Sequence, residues 1–184
     1  ACHAFGAMYA HNNKKYFVGS CKHSDLCVFS FHPVKPITTG EGGAITTNNK
    51  IFAKKISLLR SHGIIRNKNY WEYDIKELGF NYRLSDLNCS LGLSQLQRVN
   101  TIIKKRHRVG KLYYEKLKNN KNIFMPSPKN KFSKNIYWVI AILILNKNLK
   151  IDNIKAAKKL RKFGIETRPF FWPMHKQKVL KNYD

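Results

Sequence analysis

The sequence predicts an α/β fold, and three observations carry that expectation. Short β-branched or aromatic runs recur early in the chain, at residues 16–19, 26–29 and 44–47. From Asn49 the apolar spacing lengthens from that of a strand to that of a helix. Further on, an apolar run at 137–145, a capped helical stripe after Asp152 and a β-like stretch from Ile165 follow in the order strand, helix, strand.

Taken in order, residues 4–9 are small and apolar, 11–15 form a polar turn, and 16–19 read as the strand after it. Residues 26–29 form a second strand that feeds the stretch from Ser30 to Gly43, and 44–47 form a third. Ile51, Phe52, Lys55, Ile56, Leu58 and Leu59 make a helical stripe with Gly63 as its stop. Residues 64–78 read as a loop carrying Tyr70, Trp71 and Tyr73. Ser85 or Asp86 caps a long amphipathic helix over 86–118, with Leu84, Leu87, Leu91, Leu96, Val99 and Ile103 on one face. Its outer face carries Lys104, Lys105, Arg106, Arg108 and Lys111. Met125-Pro126-Ser127-Pro128 closes this helical region. The run at 137–145 reads as a strand buried on both faces. Asp152 caps a helix that turns Ile154, Ala157, Leu160 and Phe163 inward and stops at Gly164, and 165–167 opens another strand. A boundary between 100 and 125 divides the chain into domains at 1–105 and 106–184.

Hydrophobic residues at 43% and aromatics at 12% are enough for a substantial core and exclude a disordered chain. Lys+Arg number 35 against Asp+Glu 10, a net charge of +25, which raises nucleic acid or an anionic membrane as partners. Lysine and asparagine recur together, as at 118–122 and 146–148, so a compositional bias accounts for the same charge. The longest apolar run, 136–145, falls short of the roughly 20 residues a bilayer span needs. Cys2, Cys21, Cys27 and Cys89 form no C-x-x-C pair, and no second ligand cluster follows Cys21, His23 and Cys27. They read as reduced, mostly buried thiols of a cytoplasmic protein, with no metal site. No signal-peptide pattern opens the sequence, and it reads as a fragment cut at both ends.

The chemistry centres on residues 29–43. A buried strand leads to Lys35, which sits among Pro33, Pro36 and the turn Gly40-Glu41-Gly42-Gly43. A lysine at a rigid turn on the end of a buried strand can be partly desolvated, which favours the neutral, nucleophilic amine that Schiff-base chemistry needs. Ser30, on the strand leading to Lys35, carries a hydroxyl able to donate to a phosphate while Lys35 reaches an aldehyde carbon. A surface lysine and an ordinary strand serine are the alternatives for each residue taken alone.

Three segments together, Ser30-Phe31-His32-Pro33-Val34-Lys35, Thr38-Thr39-Gly40-Glu41-Gly42-Gly43 and Gly79-Phe80-Asn81-Tyr82-Arg83-Leu84-Ser85-Asp86, resemble the DegT/DnrJ/StrS-type nucleotide-sugar aminotransferases. The likeness runs over nearly the whole chain and keeps the family's motif order. It implies a fold-type-I, pyridoxal 5'-phosphate-dependent enzyme, here the C-terminal part of the large domain plus part of a small α/β domain. By position, Lys35 would be the Schiff-base lysine, Ser30 a phosphate ligand, and His3 the residue near the cofactor ring and its phenolic oxygen. Asn81 would reach the phosphate in a partner's site, so the resemblance implies a homodimer. Arg168 would pair with a sugar-nucleotide diphosphate and His175 with a sugar hydroxyl, beside the alternatives of a surface arginine and a packing histidine. Trp172, Phe170 and Phe171 read as core residues.

The resemblance further implies transfer of an amino group from L-glutamate to a nucleotide-linked 4-keto-6-deoxy sugar, for a surface polysaccharide or glycan. Residues 31–35 look like enzymes acting on UDP-linked 4-keto-hexoses, and 167–171 like perosamine synthases, which leaves the nucleotide open. Related dehydratases carry histidine where this chain has Lys35. The family's pyridinium-pairing aspartate, phosphate loop and ring-stacking aromatic would lie before Ala1, so the polypeptide is expected to be catalytically incomplete alone. The rivals are a basic nucleic-acid-binding module on helix 86–118, which leaves Ser30, Lys35 and Asn81 unexplained, and an inactive fragment of the same family. The expected partners are therefore the sugar nucleotide, glutamate and a second subunit, without nucleic acid or membrane.

Overall fold

The computed structural model describes residues 1–66, 69, 71–128, 130–145 and 151–180. In chain order the elements are β1 (Met8–His11), β2 (Lys14–Phe17), β3 (Cys27–Ser30), β4 (Gly43–Thr46), α1 (Lys50–Arg60), β5 (Ile64–Arg66) and β6 (Tyr73–Ile75). After them come α2 (Asp86–Gln97), α3 (Val99–Leu117), β7 (Ile123–Phe124), β8 (Ser133–Lys134), β9 (Leu143–Ile144) and α4 (Asn153–Arg161). The chain divides into two compact units, residues 1–112 with 128–138, and residues 113–127 with 139–184.

In the first unit β1 and β2 form a hairpin whose turn residues Asn12 and Asn13 both take positive φ, 47° and 59°. Asparagine tolerates that conformation, and the primed turn it makes matches the twist of the strands. β8 pairs with the other edge of β1. β3 and β4 pair antiparallel with Ser30 opposite Gly43. Phe29 is buried on β3, and Phe5 meets the rings of Phe29 and Phe31 edge-on at 5.4 Å and 5.9 Å. The same unit buries Ile37 and Ile136. Asn49 caps α1 by accepting from the amides of Ile51 and Phe52, and the helix ends where Gly63 N donates to the Leu58 carbonyl. Residues 64–78 are not a plain loop: β5 and β6 pair as a short hairpin, and Tyr70 lies outside the described residues.

Ser85 caps α2 as expected, accepting from the Asn88 amide. The single long helix of 86–118 is instead two, broken at Arg98. The break lets the two helices serve different neighbours. Gly92 of α2 lies against Thr39, while Ile103 of α3 lies against Gly6. The apolar stripe is correspondingly uncovered on α2, where Leu87 is 85% exposed. Nor is the basic face uniform, since Arg106 is half-buried and turned toward residues 137–138.

In the second unit β7 and β9 pair over two residues each, and Met125 is buried. The expected strand at 137–145 shrinks to β9. Tyr137 takes a positive φ of 53°, and the carbonyls of Tyr137 and Trp138 go to Arg106, so neither can continue a ladder. Asp152 caps α4 as expected, accepting from the Lys155 amide. Ile154, Leu160 and Phe163 are exposed rather than inward, Phe163 at 82%. Residues 165–167 form no strand among the described residues, and Ile165 N instead donates back to the Leu160 carbonyl.

All four cysteines are free thiols, with Cys2 and Cys89 exposed and Cys21 and Cys27 half-buried, so none is a core residue. Among the described residues no helix is long and apolar enough to cross a membrane, and no group of three or more metal-ligating side chains occurs.

Candidate functional site

The loop that carries Lys35 leaves β3 and returns to β4 under a dense set of backbone bonds. Phe31 N donates to the Gly42 carbonyl at 2.8 Å, and the Phe31 carbonyl accepts from Thr38 Oγ1 at 2.8 Å and Thr39 N at 3.0 Å. Inside this frame Lys35 N donates to the His32 carbonyl at 2.9 Å, closing a tight turn. Thr39 is buried, donates through Oγ1 to the Glu41 carbonyl at 2.6 Å, and accepts at its own carbonyl from Asn88 Nδ2 of α2 at 2.5 Å. Gly42 has φ +144°, and a Cβ there would lie 2.6 Å from Thr39 Oγ1 and 2.8 Å from Leu84 Cδ1. Glycine is thus required for the frame to close.

Lys35 is half-buried, and its Nζ stands 4.4 Å from the centroid of the Trp138 ring. The Trp138 indole N–H donates to the Val34 carbonyl at 2.8 Å, one residue before Lys35. The imidazole of His3 stacks on Trp138 with 3.6 Å between centroids and 8° between planes. Desolvation, then the positive charge of Lys35, hold the His3 imidazole below its usual pKa. A neutral imidazole at this point offers one donor and one acceptor nitrogen. Ser30 ends β3, and its Oγ accepts from His32 N at 3.4 Å, which leaves its own proton available to a ligand. His32 Nε2 lies 3.8 Å from Glu41.

The fold therefore brings His3, Ser30 and Lys35 into one unit around the β3–β4 connection. Asn81 is exposed on a separate segment that runs beside the end of α1, bridging to Ser61. Arg168 and His175 belong to the second unit. There the Arg168 guanidinium lies 4.9 Å from the Phe171 ring centroid, and His175 falls in a short 3-10 turn, Met174–Lys176. Phe170, Phe171 and Trp172 are exposed, contrary to their reading as core.

Trp138 and Arg106 are absent from the sequence-derived set. Trp138 lies inside a continuous apolar run that reads as a strand buried on both faces. Arg106 looked like one more cation on a basic helix. Asn135, two residues before Tyr137, was the available signal, because its Oδ1 accepts from Tyr137 N at 2.8 Å and turns the chain.

One mixed α/β unit thus carries a half-buried lysine on a pinned turn, a hydroxyl on the preceding strand and a histidine stacked on the same indole as the lysine. A profile of the DegT/DnrJ/EryC1/StrS aminotransferase family matches residues 1–184, and the chain belongs to that family. It is 48% identical over 120 residues to a UDP-4-amino-4,6-dideoxy-N-acetyl-beta-L-altrosamine transaminase of Campylobacter jejuni, covering 65% of this chain and 30% of the relative. It is 37% identical over 175 residues to the GDP-perosamine synthase of Caulobacter vibrioides, covering 95% of this chain and 44% of the relative. Among solved structures it resembles Helicobacter pylori PseC, an aminotransferase involved in the biosynthesis of pseudoaminic acid, with TM-score 0.86 and 31% identity over 99% of this chain and 47% of that one. It also resembles the PLP form of the sugar aminotransferase Spr1654 from Streptococcus pneumoniae, with TM-score 0.83 and 26% identity over 100% of this chain and 45% of that one. The chain spans less than half the length of each of these proteins. Its fold is that of the fold-type-I sugar aminotransferases.

Proposed function

We propose that this chain is the lysine-bearing part of a pyridoxal 5'-phosphate-dependent aminotransferase that uses L-glutamate to aminate a nucleotide-linked 4-keto-6-deoxy sugar. The observation that carries the reading is the position of Lys35, half-buried over Trp138, beside His3 and on the same pinned loop as Ser30. The donor set fits the cofactor: an amine for its aldehyde, a hydroxyl with a free proton for its phosphate, and a neutral imidazole for its phenolic oxygen. Bound there, the cofactor would supply an electron sink for carbanion chemistry at the amino donor.

The residues divide the remaining work. Lys35 Nζ would hold the cofactor by its aldehyde and, with the amino donor bound in its place, would serve as the acid and base that moves a proton at the donor's α-carbon. Ser30 and the frame around Gly42 fix where the phosphate sits relative to that amine. His3 fixes the ring by its phenolic edge. Asn81 serves the phosphate of a second subunit's site, which makes a homodimer the active form. Arg168 neutralises a diphosphate and His175 bonds a sugar hydroxyl. Overall, L-glutamate would exchange its amino group for the keto oxygen of the sugar and leave as 2-oxoglutarate, with the cofactor carrying the amino group between them. A UDP-sugar transaminase and a GDP-perosamine synthase both match this chain, over different spans, so the nucleotide is decided by the substrate panel below. The product feeds an amino-sugar glycan, made in the cytoplasm.

The test uses the full-length protein that contains this chain. Purified protein should be yellow, and borohydride should fix the cofactor's mass on Lys35. Lys35→Ala should be colourless and unlabelled. Wild-type protein that takes up no cofactor would overturn the reading. A panel of UDP- and GDP-linked 4-keto sugars with glutamate then decides the acceptor.

A further inference from the structure

We propose that Trp138 is a positioning residue that sets His3 and Lys35 side by side, and that Arg106 holds Trp138 in that place. The inference rests on the reading of Lys35 and His3 as cofactor residues, but its geometry is independent of it. One indole makes three contacts, two to these groups and one to the residue before Lys35: its ring stacks on His3 at 3.6 Å, the same ring lies 4.4 Å from Lys35 Nζ, and its N–H holds the Val34 carbonyl at 2.8 Å. The first fixes the plane of the imidazole. The second attracts the ammonium through the face of the most favourable aromatic for that contact. The third fixes the backbone from which Lys35 springs. A phenylalanine would keep the faces and lose the hydrogen bond, and an alanine would lose all three.

The backbone before Trp138 shows that this placement is imposed. Tyr137 has φ +53°, a conformation that a bulky residue adopts only when its surroundings force it. Four residues do so. Tyr137 N donates to Asn135 Oδ1 at 2.8 Å. Arg106 Nη1 donates to the carbonyls of Tyr137 at 3.2 Å and Trp138 at 3.4 Å. The Tyr137 ring closes on Gly110 of α3, where a Cβ would overlap it. It also meets His107 of α3 edge-on at 6.4 Å. Arg106 is the charged member of this clamp, and bonds from a charged donor are about twice as strong as neutral ones. α3 thereby reaches the lysine loop through Arg106, Tyr137 and Trp138 in succession, and none of the three needs to touch a substrate.

The full-length protein provides the test in two arms. Without cofactor, the ring protons of His3, assigned by their loss in His3→Gln, should be shifted upfield by the indole ring current. Trp138→Ala should abolish that shift, and Arg106→Gln should do the same with the indole still present. An ordinary His3 shift in wild type, or one unchanged in Arg106→Gln, would overturn the proposal. With cofactor, Trp138→Ala should weaken binding by about three- to thirty-fold, the span of a cation–π contact. Trp138→Phe should fall between, and Trp138→Ala with Arg106→Gln should be no worse than Trp138→Ala alone. Losses that simply add would show two independent residues and sink the clamp. A wild type that shows the His3 shift but never loads the cofactor fails the proposed function and leaves this inference standing. One that loads normally without the shift does the reverse. Should Trp138→Ala fail to fold, Trp138→Phe and Arg106→Gln carry both arms.

Discussion

The imidazole of His3 lies parallel to the indole of Trp138, 3.6 Å away, although 135 positions separate them in the chain. Lys35 stands over the same indole, so the charge of its amine and its chemistry can be separated. Lys35→Arg keeps a cation for the ring but cannot condense with an aldehyde. The variant should keep the wild-type circular dichroism and the His3 ring-current shift while losing the yellow colour and every trace of borohydride labelling.

His107 should impose a pH dependence on stability. Its Nε2 is buried without a hydrogen-bond partner among the described residues. Desolvation and then the charge of Lys134 hold its pKa below the usual value, against a smaller opposing effect from the Asn135 backbone. The unfolded chain binds a proton at about pH 6.5, where the folded chain still resists it. Stability should therefore be intact above about pH 6.5 and fall as the pH drops through the window below it. Melting temperature followed from pH 7 to 5 should decline less in His107→Phe than in wild type.

Two glycines should resist even alanine. At Gly110 a Cβ overlaps the Tyr137 ring, and at Gly42 it meets Thr39 and Leu84 with φ already at +144°. Each alanine should destabilise by about 1–3 kcal/mol in urea unfolding, the range for overpacking. Gly42→Ala should in addition lower cofactor occupancy, because it opens the frame around Lys35. Equal stability of either variant to wild type would contradict the packing described.

The helix caps supply a control remote from the lysine. Asn49→Ala removes the acceptor for Ile51 N and Phe52 N, and Asp152→Ala removes that for Lys155 N. Each should cost about 1 kcal/mol of stability and leave the colour of the protein unchanged.

Local signals were legible wherever a side chain acts on its own backbone. Asn49, Ser85 and Asp152 announced three helix starts, and the polar turn at 11–15 was legible, though not the strand β1 that it joins to β2. The tight turn at Lys35 was legible too, because Pro33 and Pro36 confine it on both sides. What the pattern misread was burial. Leu87, Ile154 and Phe163 keep helical spacing yet face outward, since spacing shows that a face exists and not what covers it. Residues 137–138 failed for the opposite reason. Their apolar run suits a strand, but a guanidinium from α3 takes the carbonyls a strand would use. That contact joins residues 31 positions apart for Tyr137, and no local window contains both partners.

The hydrogen bond from Trp138 to Val34 joins residues 104 positions apart. Closing so long a loop is entropically unfavourable until the intervening segments have folded. The hairpin that carries Lys35 can form from neighbouring residues, but its finished geometry waits for a residue synthesised much later. During translation Lys35 emerges before Trp138, and its setting is completed only once that residue has been made. In refolding, helical content should accordingly recover before the capacity to bind cofactor, with the interval lengthened in Arg106→Gln.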